Sequence, residues 1–251
     1  MPMTTQPDSG SILPYIPQRN FDNATLAERI YQNLREDILS NRLLPGTPLQ
    51  EASIAAALEV SRAPVREAFR KLEAEGLITV FPRRGAEVSS LSRKEFLDAY
   101  RVRQSLEVLA IQLAAPRLTP TDLKELQRLH QEMVERTVQG DIDGFFKANR
   151  AFHDLFVDRS DNLKLQEIYF PLIDQMGRYR LPSVTLRGGM ERSVEEHYAI
   201  LQALRKGDAE EAARLLKEHI AVPQRALEVD DKLEVVLRSD GARNLPGDSF
   251  S

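Results

Sequence analysis

Two prolines and a glycine within Leu-Leu-Pro-Gly-Thr-Pro (43–48) cannot continue a helix, so the chain must turn there. Upstream, Leu26, Ile30, Leu34 and Ile38 recur every four residues and mark one apolar face of a helix over about 25–39. Downstream, a short helix over 51–58 buries Ile54 and Leu58, and Glu59-Val60-Ser61 makes a tight turn whose serine suits the N-cap of the next helix. Pro64 falls in the first turn of that third helix, where its missing N–H costs nothing. The helix runs from about Arg62 to Glu75 and stops at Gly76. Leu77 to Phe81 and Ala86 to Ser89 then read as two strands around Pro-Arg-Arg-Gly (82–85).

On the third helix Val65, Ala68, Phe69 and Leu72 share one face. Arg66 and Arg70 lie on the opposite face, with Arg62 at the exposed start. Two short angled helices, the second carrying arginines outward, describe a helix-turn-helix whose arginines can meet phosphates and guanine edges. A hairpin with Arg83 and Arg84 at its tip is a wing suited to the DNA backbone or minor groove. Each piece alone is commonly just a solvated face; the ordered series is what carries weight. The net charge of −4 argues against a protein that coats nucleic acid indiscriminately. Residues 55–85 hold six basic and four acidic side chains, so where the arginines point matters more than their number.

Residues 92–237 show no strand-like alternation. Six helical segments, near 92–115, 120–139, 141–158, 162–180, 190–206 and 208–235, are separated by Pro116, Gly140-Asp141, Ser160-Asp161, Gly188-Gly189 and Gly207-Asp208. The expected architecture is therefore mainly α: a disordered arm over 1–21, a winged helix-turn-helix domain over 22–91, an all-α six-helix bundle over 92–237 and a disordered tail over 238–251. The N-terminus lacks the basic start and apolar stretch of a secretory signal, no apolar run approaches a membrane span, and there is no cysteine. These features fit a cytoplasmic protein with no membrane partner.

All four histidines lie in the second domain. Asn149 and His153 sit one turn apart on a helix bearing Phe145, Phe152 and Phe156. His197 lies among Val194, Ile200, Leu201 and Leu204, and His219 among Leu215, Leu216 and Val222. Any one of these could be a hydrogen-bonded core histidine. Three imidazoles from three helices, with an amide, are also how metal sites are built in bundles. His130 borders an apolar face as well.

The stretches Leu-Leu-Pro-Gly-Thr-Pro-Leu-Gln-Glu (43–51), Val-Ser-Arg-Ala-Pro-Val-Arg-Glu-Ala (60–68), Leu-Glu-Ala-Glu-Gly-Leu-Ile (72–78) and Arg-Arg-Gly-Ala-Glu-Val (83–88) closely resemble the GntR family of regulators. That resemblance implies DNA contact at Ser61, Arg62, Pro64 and Arg66, with Gly85 at the wing beside Arg84. Ala52 stands where some members have a DNA-contacting arginine. Asn149-x-x-Phe152-His153 and His197-x-x-Ile200 leading to His219-Ile220 resemble the FadR-type ligand-binding (FCD) domain in its six-helix, VanR-like form. The resemblance implies that Asn149, His153, His197 and His219 hold a divalent metal, with Asn149 where aspartate is frequent, and that His130 is structural. All-nitrogen-and-oxygen ligands suit zinc or nickel.

Arg103 matches a recurrent arginine on the first helix of that domain. It is either an effector clamp or a structural partner of Glu107, one turn on. Three neutral imidazoles and one amide leave a metal's charge uncompensated, which predicts an anionic effector. The resulting expectation is a regulator that binds operator DNA as a homodimer on an inverted repeat, represses a metabolic operon and answers to a small carboxylate. A metal-free effector pocket is the alternative. A metal-dependent enzyme is a further one, disfavoured because a facial triad needs a carboxylate that the inward set lacks. No nucleophile series or phosphate-binding glycine loop occurs either.

Overall fold

The computed structural model describes residues 24–82, 84–180, 189–229 and 236–237. They divide into two compact units between Ser90 and Leu91. The expected arm over 1–21, the tail from 238 and Arg83 lie outside the described residues.

In the first unit α1 (Leu26–Leu39) starts where the Thr25 hydroxyl accepts the Glu28 N–H at 3.2 Å. Ile30, Leu34 and Ile38 are buried, while Leu26, at the helix's first residue, stays exposed. They join one core with Ile54 of α2 (Glu51–Ala57) and with Val65, Ala68, Phe69 and Leu72 of α3 (Arg62–Ala74). Each fully buried large side chain of that set is worth roughly 1.5–3 kcal/mol. Polar ties also bind α1 to α3: Lys71 Nζ donates to Glu28 at 2.6 Å, and Tyr31 and Arg35 both donate to Glu75.

The wing is a three-stranded antiparallel sheet in the order β1 (Pro48–Leu49), β3 (Gly85–Val88), β2 (Ile78–Phe81). The two-residue β1 goes beyond the expected pair of strands, in a stretch rich in proline. It fits because Pro48 sits on an edge strand, where an absent N–H breaks no ladder. Gly85 has φ +90, and a Cβ there would meet the Leu49 carbonyl oxygen at 2.9 Å. Its glycine identity therefore has a backbone cause in the packing of β3 on β1.

Glu59, in the turn between α2 and α3, holds φ at +56. A left-handed conformation costs a residue with a Cβ about 1–2 kcal/mol, part of which glycine gives back as unfolded-state entropy. Glu59→Gly is expected to raise stability by about 0.5–1 kcal/mol, read as a higher urea midpoint at unchanged slope.

The second unit holds α4 (Arg93–Ala114), a 3₁₀ turn (Ala115–Arg117), α5 (Pro120–Gln139), α6 (Ile142–Arg159), α7 (Leu163–Gly177), α8 (Gly189–Arg205) and α9 (Ala209–Val229). Capping boxes Ser92/Glu95 and Thr119/Asp122 start α4 and α5. Helix α4 packs on α6, α7 and α9, so its inward stripe lies at the centre of the bundle. Two corrections apply to the expected helices. The fourth is expected to reach 180, but α7 ends at Gly177, and Tyr179–Arg180 form β4, paired antiparallel with β5 (Val236–Leu237). Side-chain packing outweighs local propensity there: the Tyr179 hydroxyl accepts the Leu91 N–H at 2.8 Å, and its ring stands edge-on to Phe96. The last helix is expected to reach 235; α9 is described to Val229, and 230–235 lie outside the described residues.

Candidate DNA-binding face and three-histidine centre

Burying Val65, Ala68, Phe69 and Leu72 turns the other face of α3 to solvent. Ser61, Arg62, Arg66 and Arg70 are exposed there, and Pro64 is half-buried. Ser61 occupies the N-cap position in extended conformation, yet its side chain makes no capping hydrogen bond. Its hydroxyl is thus left for another partner, against the expectation that it closes the helix. Arg66 is held: its Nη2 donates to Glu51 Oε2 at 3.0 Å and its Nε faces both Glu51 oxygens at 3.2 and 3.3 Å. Arg84 is exposed on the wing, its backbone N–H donating to the Phe81 carbonyl at 3.1 Å.

In the second unit His153 of α6, His197 of α8 and His219 of α9 converge, each offering a ring nitrogen within 4.8 Å of the others. His153 and His197 are buried. Each Nδ1 faces an oxygen: Glu107 Oε2 at 2.5 Å from His153, the Ser193 carbonyl at 2.6 Å from His197, and Glu196 Oε2 at 2.7 Å from His219. Carbonyl and carboxylate oxygens accept, so each Nδ1 carries the proton and donates it. In the neutral rings every Nε2 is then a lone pair, and those of His153 and His197 stand 3.1 Å apart. Two acceptors at that distance repel unless a proton or a cation lies between them. Burial, reinforced by the neighbouring imidazoles, holds His197 and His219 well below the usual histidine range, which opposes the proton. Donor type, convergence and second-layer acceptors all suit a divalent metal.

His130 lies apart from this cluster: its Nε2 is 3.1 Å from the Val194 carbonyl and its ring packs on Tyr198, tying α5 to α8. Asn149 sits one turn before His153 on α6, and is half-buried.

Glu107 does more in this site than its place in the sequence announces. Only 1% exposed, it accepts from His153 with one oxygen and from Arg103 Nε at 2.6 Å with the other; the Tyr169 hydroxyl is 3.4 Å away. Burial alone would raise its carboxyl, but the Arg103 charge and the hydrogen bonds from His153 and Arg103 outweigh that and hold it below the usual range. Arg103 therefore does pair with Glu107. Its Nη nitrogens make no hydrogen bond among the described residues, and its guanidinium lies over the Tyr100 ring at 5.3 Å. A signal for Glu107 exists: it continues the stripe Phe96, Tyr100, Glu107, Ala110, Ala114 that points α4 inward. Glu196, beside His197, carries no such signal.

Models of known families match both units: bacterial regulatory proteins of the gntR family over residues 26–88, and the FCD domain over 98–222. The HTH-type transcriptional repressor RspR of Escherichia coli (strain K12) is 32% identical over 194 residues, spanning 77% of this chain and 85% of that protein. The chain belongs to the GntR family. Another relative, a probable D-xylose utilization operon transcriptional repressor of Paenarthrobacter nicotinovorans, is 31% identical over 204 residues, with 81% of this chain and 89% of that protein covered. The solved E. coli McbR/YncC superposes with a TM-score of 0.66 at 26% identity, over 82% of this chain and 99% of that one. This GntR-family chain is thus a transcription regulator rather than an enzyme, with a winged helix-turn-helix unit and a predominantly helical FCD unit. The FCD match spans α4 to α9 and includes all three converging histidines. No described helix is long and apolar enough to cross a membrane.

Proposed function

We propose that this regulator is a metal-containing repressor that binds an inverted-repeat operator as a homodimer and releases it on binding a small organic acid. The observation that carries the metal is the convergence of three imidazoles whose Nδ1 atoms each face an oxygen, which leaves the Nε2 side of each ring for an ion. His153, His197 and His219 would hold the ion, zinc or nickel, with Asn149 completing the set from the preceding turn of α6. The bound ion would supply a Lewis-acidic centre for a ligand's oxygen. Repression follows what the similar RspR and D-xylose operon proteins are named for.

The charge balance around the ion includes more than three imidazoles and an amide. Behind the histidines stand two carboxylates, Glu107 and Glu196. Each is paired with an arginine: Glu107 with Arg103, and Glu196 with Arg192, whose Nε is 3.4 Å away. These pairs cancel, so a divalent ion still leaves two positive charges in an apolar bundle, and a carboxylate ligand offsets them. Arg103 can grip it through its Nη edge while Nε stays on Glu107. Because one winged helix reads too few base pairs for regulatory specificity, the DNA-binding species is a two-fold dimer.

Elemental analysis of purified protein is expected to find a divalent metal in wild type. It should be absent from His153→Ala, His197→Ala and His219→Ala, and retained in His130→Ala. Equal metal content in wild type and the triple-histidine variant would remove the site. Calorimetry of metal-loaded protein with metabolic acids and neutral analogues tests the effector class: binding only of neutral sugars would sink the organic acid. A monomer by sedimentation, free and on DNA, would sink the dimer.

A further inference from the structure

Glu51 is the first residue of α2 and Arg66 lies fifteen residues on in α3, so the ion pair between them bridges the two halves of the helix-turn-helix. It is side-on: Nε and Nη2 of the guanidinium both face the carboxylate, at 3.2 and 3.0 Å to Oε2. Arg66 is 56% exposed and Glu51 27%, so the pair contributes little to folding. Its consequence is directional. With the Nε/Nη2 edge occupied, the donors left to an incoming ligand are those of the Nη1/Nη2 end. That end matches the O6 and N7 acceptors of guanine in the major groove.

Arg62 and Arg70 share the exposed face of α3 and have no such partner among the described residues. A free arginine on a helix surface samples many rotamers and meets phosphates as readily as bases. A carboxylate beside it both restricts the side chain and repels phosphate oxygens. We infer that Glu51 is a positioning residue, aiming Arg66 at a base edge and converting a sequence-blind cation into a sequence-reading one. This deepens the reading of α3 as the helix that enters the groove, and rests on it.

The test uses full-length protein and a DNA probe obtained from the protein itself, a duplex selected by wild type from a random-core pool. A shuffled duplex of the same composition is the reference. Glu51→Ala should lower the selected-to-shuffled affinity ratio about three- to five-fold, the scale of an exposed ion pair. Most of that change should come from tighter binding to the shuffled duplex. The salt dependence of shuffled binding should steepen by about one unit per Arg66 released to a phosphate, a change that a merely structural role would not produce. Glu51→Gln, which keeps an acceptor but no charge, should fall between. In an Arg66→Ala background the Glu51→Ala effect on the ratio should vanish.

An undiminished Glu51→Ala effect in that background overturns the inference, as does an unchanged ratio in Glu51→Ala when Arg66→Ala lowers it. If Arg66→Ala itself leaves the ratio unchanged, Arg66 reads no base, and the placement of Arg66 in the groove falls together with the inference.

Discussion

Glu107→Leu is expected to destabilise the metal-free protein by about 3–5 kcal/mol, the cost of removing one partner of a buried charge pair. The carboxylate is 1% exposed and its two oxygens are divided between Arg103 Nε and His153 Nδ1. Taking it away leaves a guanidinium 17% exposed with no counter-charge and an imidazole N–H with no acceptor. Glu107→Gln keeps the shape and one acceptor, and should cost roughly 1–3 kcal/mol. The double variant Arg103→Met/Glu107→Leu removes both charges and should recover much of the loss, because apolar replacements of whole buried pairs are often near neutral. Urea denaturation with chelator present measures all three without a metal contribution. A loss under about 1 kcal/mol for Glu107→Leu would mean the carboxylate does not anchor α4 to α6. Glu107→Gln should also weaken the proposed metal binding roughly 10–100-fold, as changes to the acceptor behind a ligating histidine do.

What the sequence could and could not reveal follows from the range of each interaction. The four-residue stripe of α1, the proline break and the Gly76 stop are local, and they locate the helix-turn-helix to within a residue or two. Arg103 and Glu107 are one helical turn apart, so their pairing is open to reading, as one of two alternatives. The bond from Glu107 to His153 spans 46 residues between α4 and α6, and no periodicity announces it. The same holds for Glu196 with His219 and for Tyr179 with the Leu91 N–H, 88 residues apart. That last bond also explains why α7 stops short of 180. A run of helix-compatible residues is bent into β4 by partners brought from far along the chain. Side-chain roles on α3 are similarly half visible. Spacing turns Arg66 outward, but its capture by Glu51 depends on how α2 crosses α3.

The helix and wing arginines should differ in kind as well as in size. Arg62 is exposed at the start of α3, the end of a recognition helix that meets base edges, so position rather than a partner directs its donors to bases. On a base edge each copy is worth about 1–3 kcal/mol. The proposed two-fold dimer on an inverted repeat would lose two copies at once, so Arg62→Ala should cost about 2–6 kcal/mol on such an operator. A duplex with one intact half-site should show about half that loss. The penalty should shrink on shuffled DNA, because base contacts discriminate and phosphate contacts do not. Arg84, exposed on the wing, should behave oppositely. Arg84→Ala should weaken selected and shuffled duplexes alike and flatten the salt dependence by about one unit for each phosphate that Arg84 neutralises in wild type. Titrations of the selected and shuffled duplexes at several salt concentrations separate the two patterns, with circular dichroism confirming that each variant is folded. If Arg62→Ala and Arg66→Ala both bind the selected duplex as wild type does, α3 is not the reading helix. The exposed face built by burying Val65, Ala68, Phe69 and Leu72 would then need another partner.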